Sequence, residues 1–209
     1  MKVTIIKELR GEPEVLQLNE GIMLKDLADS FQSQLTYRIL AAKVNHKIED
    51  LNTKLTEECL VEFLDIRAQS GNLIFQHSLI MIYLKAISDV IGKADVEIAN
   101  SLNKGLYTEV RFFREKLDVD GNRKNVDTYI SDEDIILVER RMRELVAADL
   151  PFIRQKYSRE KATELLIVEG DVEKMRILNS SNVDTMVFYS LDGYTNFFYG
   201  KMVPSTGYI

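Results

Sequence analysis

The pattern of apolar and polar positions divides the chain near residue 66. Before that point, VTIIKEL (3–9) and EVLQL (14–18) have strand composition, and RGEPE between them supplies Gly11 and Pro13 for a turn, so a β-hairpin is predicted. Leu24, Leu27, Ala28 and Phe31 recur at helical spacing, and ILAAKVN (39–45) and LVEFLDI (60–66) read as two further strands. Strand, strand, helix, strand, strand within residues 1–66 is the element order of a β-grasp, ubiquitin-like domain. Polar residues 67–71 read as a linker. A stripe of Leu73, Ile80, Leu84, Ile87 and Ile91 then predicts a long helix over 72–91, with His77 and Met81 on the same stripe. DVEIANSLNKGLYTEVRFF (95–113) carries two strands around Asn103, Lys104 and Gly105, and LDVDGNRKNVDTYI (117–130) is a hairpin end with Gly121 in its turn. Ser131 followed by Asp132, Glu133 and Asp134 marks a helix start, a capping hydroxyl before carboxylates at the positive end of the dipole. That helix is expected to run to about Ala148 with Ile135, Val138, Met142, Leu145 and Val146 on its apolar face. Another begins at Ser158, and the aromatic segment 184–203 is strand-like. The expected class is α+β, a β-grasp domain followed by a larger α+β domain over 72–209, in which a long helix packs on antiparallel sheet.

Composition narrows this little. With 209 residues, 45% apolar and 29% charged, the chain has the makeup of an ordinary folded protein with one large or two modest cores. A net charge of −6 argues against a broad nucleic-acid footprint, although a local basic face fits within a negative total. The single cysteine, Cys59, excludes an internal disulfide. The apolar runs are interrupted by Lys85 or Asp89, short of a membrane span, and the first residues lack a cleavage-site pattern. The compartment expected is the cytoplasm.

His77 at the head of a helix raises the question of a zinc site. Such a site needs about three ligands from His, Cys or carboxylate. The chain holds only His46, His77 and Cys59 as nitrogen or sulfur ligands of that kind, and Met81 stands where a second helical ligand belongs. The bland reading, a structural or hydrogen-bonding histidine, is therefore preferred. IGKAD and YGKMV lack the flanking residues of a phosphate loop, and DVDGN (118–122) has Tyr129 where a calcium loop closes with Glu. A Ser-His-Asp constellation is not readable from sequence, since its members meet only in space. Arg140, Arg141 and Arg143 interleave with glutamates and read as an ion-paired helix face before they read as a phosphate contact. Asn103, Lys104 and Gly105 between strands have the makeup of an anion-binding turn, and of a plain β-turn equally. Aromatic residues between Phe188 and Tyr199 read as core before they read as a base-stacking platform.

Taken together, AAKVNHKIEDL, QHSLIMIYLKAI, NKGLYTEV, ISDEDIILVERRMRELV and YGKMVPS carry a resemblance. Residues 1–66 resemble a TGS domain, and 72–209 resemble the editing domain that follows TGS in bacterial threonyl-tRNA synthetase. In that family His-Ser-x-x-x-His on the helix and Cys-x-x-x-His before Val-Pro hold the zinc or water that deacylates mischarged tRNA. Mapped onto this chain, those four positions are His77, Met81, Phe198 and Met202; an aspartate of the family falls on Asn196, and a lysine of its site is retained as Lys174. The resemblance implies a shape kept and a chemistry lost, with no metal and no cofactor in this chain.

A TGS domain beside a degenerate editing domain is also similar to the N-terminal half of bacterial TGS-fused uridine or nucleoside kinases. That likeness implies a non-catalytic region cut before an attached kinase domain, with ATP and Mg expected only beyond residue 209. The favoured reading is then a region that binds RNA or a nucleotide, or regulates such a kinase domain, with Asn103, Lys104, Gly105 and Lys201 as ligand-binding candidates. The alternative is a metal-independent threonyl-tRNA-type editing hydrolase, or a fragment of the synthetase, in which His77 and Lys174 position water and substrate. A weaker third is an RNA-binding module using Lys104, Arg140, Arg141 and Lys201. The partners expected are tRNA or another RNA, a nucleotide, and the kinase domain in the same polypeptide, with no membrane.

Overall fold

A computed structural model describes residues 1–8, 11–102, 105–117, 123–169, 172–180 and 184–209. The predicted strands and helix of the N-terminal domain form as β1 (Lys2–Ile6), β2 (Pro13–Gln17), α1 (Leu24–Gln32), β3 (Ala41–Val44) and β5 (Cys59–Leu64). A short strand β4 (Lys47–Glu49), not apparent in the pattern, pairs with β3 through a turn in which Asn45 and His46 both take positive φ. The sheet order is β2-β1-β5-β3-β4, with β1 and β5 parallel and the other pairs antiparallel. Val3, Ile5, Leu24, Leu27, Phe31, Val61 and Phe63 are buried among these elements, with every-other-residue alternation in β5 and 3–4 spacing in α1.

Helix α2 (Gln69–Val90) starts inside the expected linker, three residues early. Asp65 makes this start: its side chain accepts from the Arg67 amide at 2.8 Å, its carbonyl from the Ala68 amide at 3.2 Å, and Arg67 closes a bidentate pair back onto the carboxylate. Gly71 is buried against the same carbonyl. A Cβ there would lie 2.0 Å from the Asp65 oxygen.

The apolar stripe read from the sequence is also rotated. Leu73 is 48% exposed, and the buried positions are Ile74, Ser78, Met81, Ile82, Lys85, Ala86 and Ile87. Ser78 hides among them because its hydroxyl donates to the Ile74 carbonyl at 2.7 Å, and Lys85 because its ammonium pairs with Asp89 at 2.7 Å. Contrary to the run-length reading, α2 is long and apolar enough to cross a membrane by length and composition; in this fold its Ile74, Met81, Ile82, Ala86 and Ile87 are buried within the protein.

The chain divides into two compact units, one of residues 1–79 and 149–209 and one of residues 80–148. Within the second, β6 (Asp95–Leu102), β7 (Gly105–Leu117) and β8 (Arg123–Tyr129) form an antiparallel sheet in that order, as predicted, and α3 (Asp132–Ala147) follows. The capping box at Ser131 is present: its hydroxyl accepts from the Asp134 amide, and the Asp134 carboxylate accepts from the Ser131 amide. Arg114 adds a bridge to Asp134 at 2.8 Å, so this buried carboxylate is fully engaged, and its hydrogen bonds outweigh the burial that would raise its pKa and hold it below its ordinary value. Val138 and Leu145 are buried as predicted, whereas Ile135 is 48% exposed. Arg141 pairs with Asp89 and Glu144, and Arg143 with Glu139, the ion-paired face read from the sequence.

In the first unit, residues 149–209 add β9 (Ile153–Ser158), α4 (Arg159–Glu169), α5 (Val172–Ser180), β10 (Thr185–Leu191) and β11 (Tyr194–Phe197), in a sheet of order β11-β10-β9. Asp192 and Gly193, both at positive φ, turn the β10–β11 hairpin. One sheet face buries Met186, Phe188 and Phe197 against Ala162, Leu166 and Leu178 of α4 and α5. Neither β9 nor α5 is evident from the pattern.

Candidate functional site

The segment that follows that sheet lies against His77. The rings of His77 and Phe198 lie 6.3 Å apart at a tilt of 53°. Gly200 backs the imidazole so closely that a Cβ would sit 3.3 Å from its Cε1, and its φ of +96° suits glycine alone. Ser78, next on the helix, accepts the Val203 amide at 3.0 Å while donating to Ile74, which locks the Met202-Val203 backbone onto the head of α2. Tyr189 donates to the Gly200 carbonyl at 3.3 Å. Of the mapped positions, His77, Phe198 and the backbone around Met202 are thus brought together, and Met81 is fully buried one turn further along α2.

Asn196 is buried beside them but turned to its own strand. Its amide donates to the Tyr194 hydroxyl at 2.9 Å and its carbonyl oxygen accepts the Phe197 amide at 2.8 Å. Lys174 lies in α5, its side chain outside the described residues. Asn103 and Lys104 also lie outside them; Gly105 opens β7, where a Cβ would meet nothing within 4 Å. Lys201 is committed elsewhere. Its ammonium lies 2.8 Å from Glu49 and 3.3 Å from Asp50 of the β-grasp domain, and although burial pushes the Glu49 carboxyl up, the hydrogen bonds from Lys201 and Lys47 outweigh it and hold the group below its ordinary value. Arg140, Arg141 and Arg143 belong to the unit of residues 80–148.

His77 is half-buried, and among the described residues its Nδ1 has no hydrogen-bond partner. Burial holds its pKa below the ordinary value, opposed by a hydrogen bond to the Lys201 backbone, so the ring is neutral at pH 7. The zinc that the resembled family holds at these positions does not fit the residues present here. The four mapped positions offer one imidazole, one phenyl ring and two thioethers, whereas zinc takes imidazole, thiolate and carboxylate. Among the described residues no three His, Cys, Asp or Glu side chains cluster for a metal.

A consequence in pH follows from His77. Because its folded pKa is lowered, the unfolded chain takes up a proton first as pH falls below roughly 6.5. The neutral ring's contribution is fully present above that value and is lost as pH falls towards the folded pKa. Urea melts of the wild type should therefore show a stability slope below about pH 6.5 that a His77→Gln variant shows in reduced form; equal slopes would contradict a desolvated imidazole.

Two residues that the sequence reading passed over share one face of the β11-β10-β9 sheet. In the strand register, Arg154 of β9 stands opposite Tyr189 of β10, which stands opposite Asn196 of β11, and Lys156 is opposite Val187 one step along. Arg154 and Lys156 are exposed. The Tyr189 hydroxyl is pushed up to about 12 by burial, with Arg154 opposing the shift. Strand β9 was the missing signal: without it, IRQKYS gives no reason to set these cations beside Tyr189 and Val187 of β10.

A TGS domain family matches residues 11–65. The chain is 28% identical over 196 residues to threonine-tRNA ligase 1 of Bacillus subtilis (strain 168), covering 93% of this chain and 28% of that protein. It is likewise 28% identical over 196 residues to threonine-tRNA ligase of Syntrophotalea carbinolica, 93% of this chain and 29% of the relative, and 25% identical over 189 residues to that of Syntrophomonas wolfei, 90% and 28%. The chain thus spans less than a third of the length of these relatives. They are ligases, and the kinase-linked relation expected from the resemblance finds no support in them. Residues 11–65 match the TGS domain family and fold as the β-grasp sheet described above, and the chain is similar to threonine-tRNA ligases along nearly all of its own length.

Proposed function

We propose that this chain is a tRNA-contacting region of threonyl-tRNA-synthetase type, in which residues 72–209 are an editing-type domain whose pocket around His77 holds a tRNA end without hydrolysing it. The observation that carries this reading is the row Arg154, Tyr189, Asn196 across one sheet face, with Lys156 beside it, where Tyr189 donates to the carbonyl of Gly200, the residue that backs His77. Two exposed cations provide phosphate contacts. The half-buried Phe198 ring offers a surface for a base. Asn196, bonded to Tyr194 and the Phe197 amide, keeps a polar side chain at the position where the family places an aspartate. Lys201, tied to Glu49 and Asp50, serves as the tie between the TGS domain and this face, not as a phosphate contact. The compartment that this function implies is the cytoplasm.

The test is binding of threonine-accepting tRNA to the whole chain across a salt series. An Arg154→Ala/Lys156→Ala variant should bind about tenfold more weakly, with the slope of log affinity against log salt smaller by roughly 1.5 to 2, as the loss of two phosphate contacts requires. Unchanged affinity and slope would sink the reading.

A second reading, a metal-independent deacylase, is favoured by one observation: the buried, neutral Nδ1 of His77 has no hydrogen-bond partner among the described residues, and an unprotonated nitrogen is the form a general base needs. Seryl-tRNA hydrolysis by the purified chain that disappears in His77→Gln would decide for it. On the binding-only reading, neither protein hydrolyses the ester above background.

A further inference from the structure

The sheet of residues 95–129 has one face that no described helix of its unit covers, and its side chains are of two kinds. Phe113 and Tyr129 are 74% and 63% exposed, and Tyr107 is 45% exposed. By strand alternation Tyr107, Glu109, Arg111 and Phe113 lie on one side of β7. The register sets Arg111 between Asp95 and Tyr129, Phe113 opposite Asp127, and Glu109 directly opposite Glu97. Arg111 is engaged by Asp95 at 3.2 Å. The Glu97–Glu109 pair is the unusual element: like charges set directly across two strands repel. Tyr107 donates to Glu109 at 3.0 Å, and the hydrogen bond and charge of Glu109, with Glu97 behind it, push the tyrosine pKa up.

We propose that this face docks a cationic, arginine-rich peptide segment of a partner protein. One guanidinium sits between Glu97 and Glu109 and relieves their repulsion; others lie over Phe113 and Tyr129, where an aromatic face attracts a cation. Charge complementarity selects this occupant. Among the described side chains, four carboxylates, Asp95, Glu97, Glu109 and Asp127, against one arginine repel the phosphates of an RNA, and they repel the same face of a second copy of the chain. A purely apolar partner would strand the carboxylates without water or counter-charge. The inference is independent of the tRNA face, which lies on the other sheet.

The experiment titrates the whole chain with a synthetic peptide of alternating arginine and alanine, about eight residues long, enough at roughly 3.3 Å per residue to run the length of a strand. Phe113→Ala/Tyr129→Ala keeps every charge, and Glu97→Gln/Glu109→Gln keeps every aromatic ring. Each double variant is expected to bind the peptide about tenfold more weakly than the wild type, with tRNA affinity unchanged and thermal melts no lower. Equal affinity in either variant overturns the proposal, because peptide would then be held by net charge elsewhere. If Phe113→Ala/Tyr129→Ala instead abolishes a concentration-dependent dimer or weakens tRNA binding, the occupant is a second copy or an RNA, and the proposal is equally overturned.

Discussion

Replacing Phe188 by alanine is expected to lower the unfolding free energy by about 4 kcal/mol, a large part of the roughly 5–15 kcal/mol that stabilises a folded domain. The ring is completely buried in the cluster of Ala162, Leu166, Leu178, Met186 and Phe197. It also stands edge-on to two neighbours, Tyr157 at 5.6 Å and Phe197 at 5.8 Å. The alanine variant loses the transfer free energy of the ring, leaves a cavity that the rigid sheet cannot close, and forfeits both aromatic pairs. Urea denaturation measures this directly; a loss under about 1 kcal/mol would mean that α4 and α5 are not packed on β10 as described. Because the adjacent residue on the opposite face of the same strand is Tyr189, the variant should also weaken tRNA binding more than its residual folded fraction accounts for.

Gly71→Ala is expected to destabilise by about 3 kcal/mol, at the upper end of what overpacking produces. In most exposed helical positions the same change is favourable, since alanine is the better helix former by roughly 1 kcal/mol. Here the sign reverses because the added methyl would sit 2.0 Å from the Asp65 carbonyl oxygen, a backbone atom held by the Ala68 amide and by the turn that Arg67 closes. Relief requires the first turn of α2 to unwind or the Asp65 turn to open. Chemical denaturation measures the loss, and Ser70→Ala, one residue earlier, is the comparison: it should change stability by less than about 0.5 kcal/mol. A neutral Gly71→Ala would show that the helix starts later, where the apolar stripe alone places it.

The difference between stripe and structure explains what was legible in the residues. Leu24, Leu27, Ala28 and Phe31 announced α1 because they recur at helical spacing with polar residues between them, and all four are buried. The cap at Ser131 was legible because a hydroxyl followed by three acids has few other uses. Helix α2 is apolar almost all round, so periodicity had little to distinguish, and two of its buried positions are Ser78 and Lys85, letters that pattern reading assigns to water. The Ser78 hydroxyl also serves Val203, a partner that no local window contains, and Lys85 is buried beside its ion pair with Asp89. Strand β9 was hidden for the opposite reason: Arg154, Gln155 and Lys156 give it a polar letter at three successive positions, although alternate side chains face different surroundings. The pairing of His77 with Phe198 came from a resemblance, and their rings stand 6.3 Å apart; the cations opposite Tyr189 and Val187 required the strand register.

The ties that hold residues 149–209 to the N-terminal part span long stretches of chain: Lys201 reaches Glu49 across 152 positions, and Val203 reaches Ser78 across 125. The β-grasp sheet, by contrast, draws all five strands from residues 2–64. On a ribosome the two would be separated in time. The sheet can close as soon as residue 64 emerges, while Ser78, Glu49 and Asp50 wait until the chain has been synthesised to residue 203, roughly 7–28 s later at about 5–20 residues per second. During that interval the head of α2 is without the segment that covers it, and its apolar side chains are offered to chaperones or to neighbouring chains. Loop closure over so many residues is also slow compared with local pairing. The arrival of Lys201 and Val203 therefore sets when the first unit becomes whole.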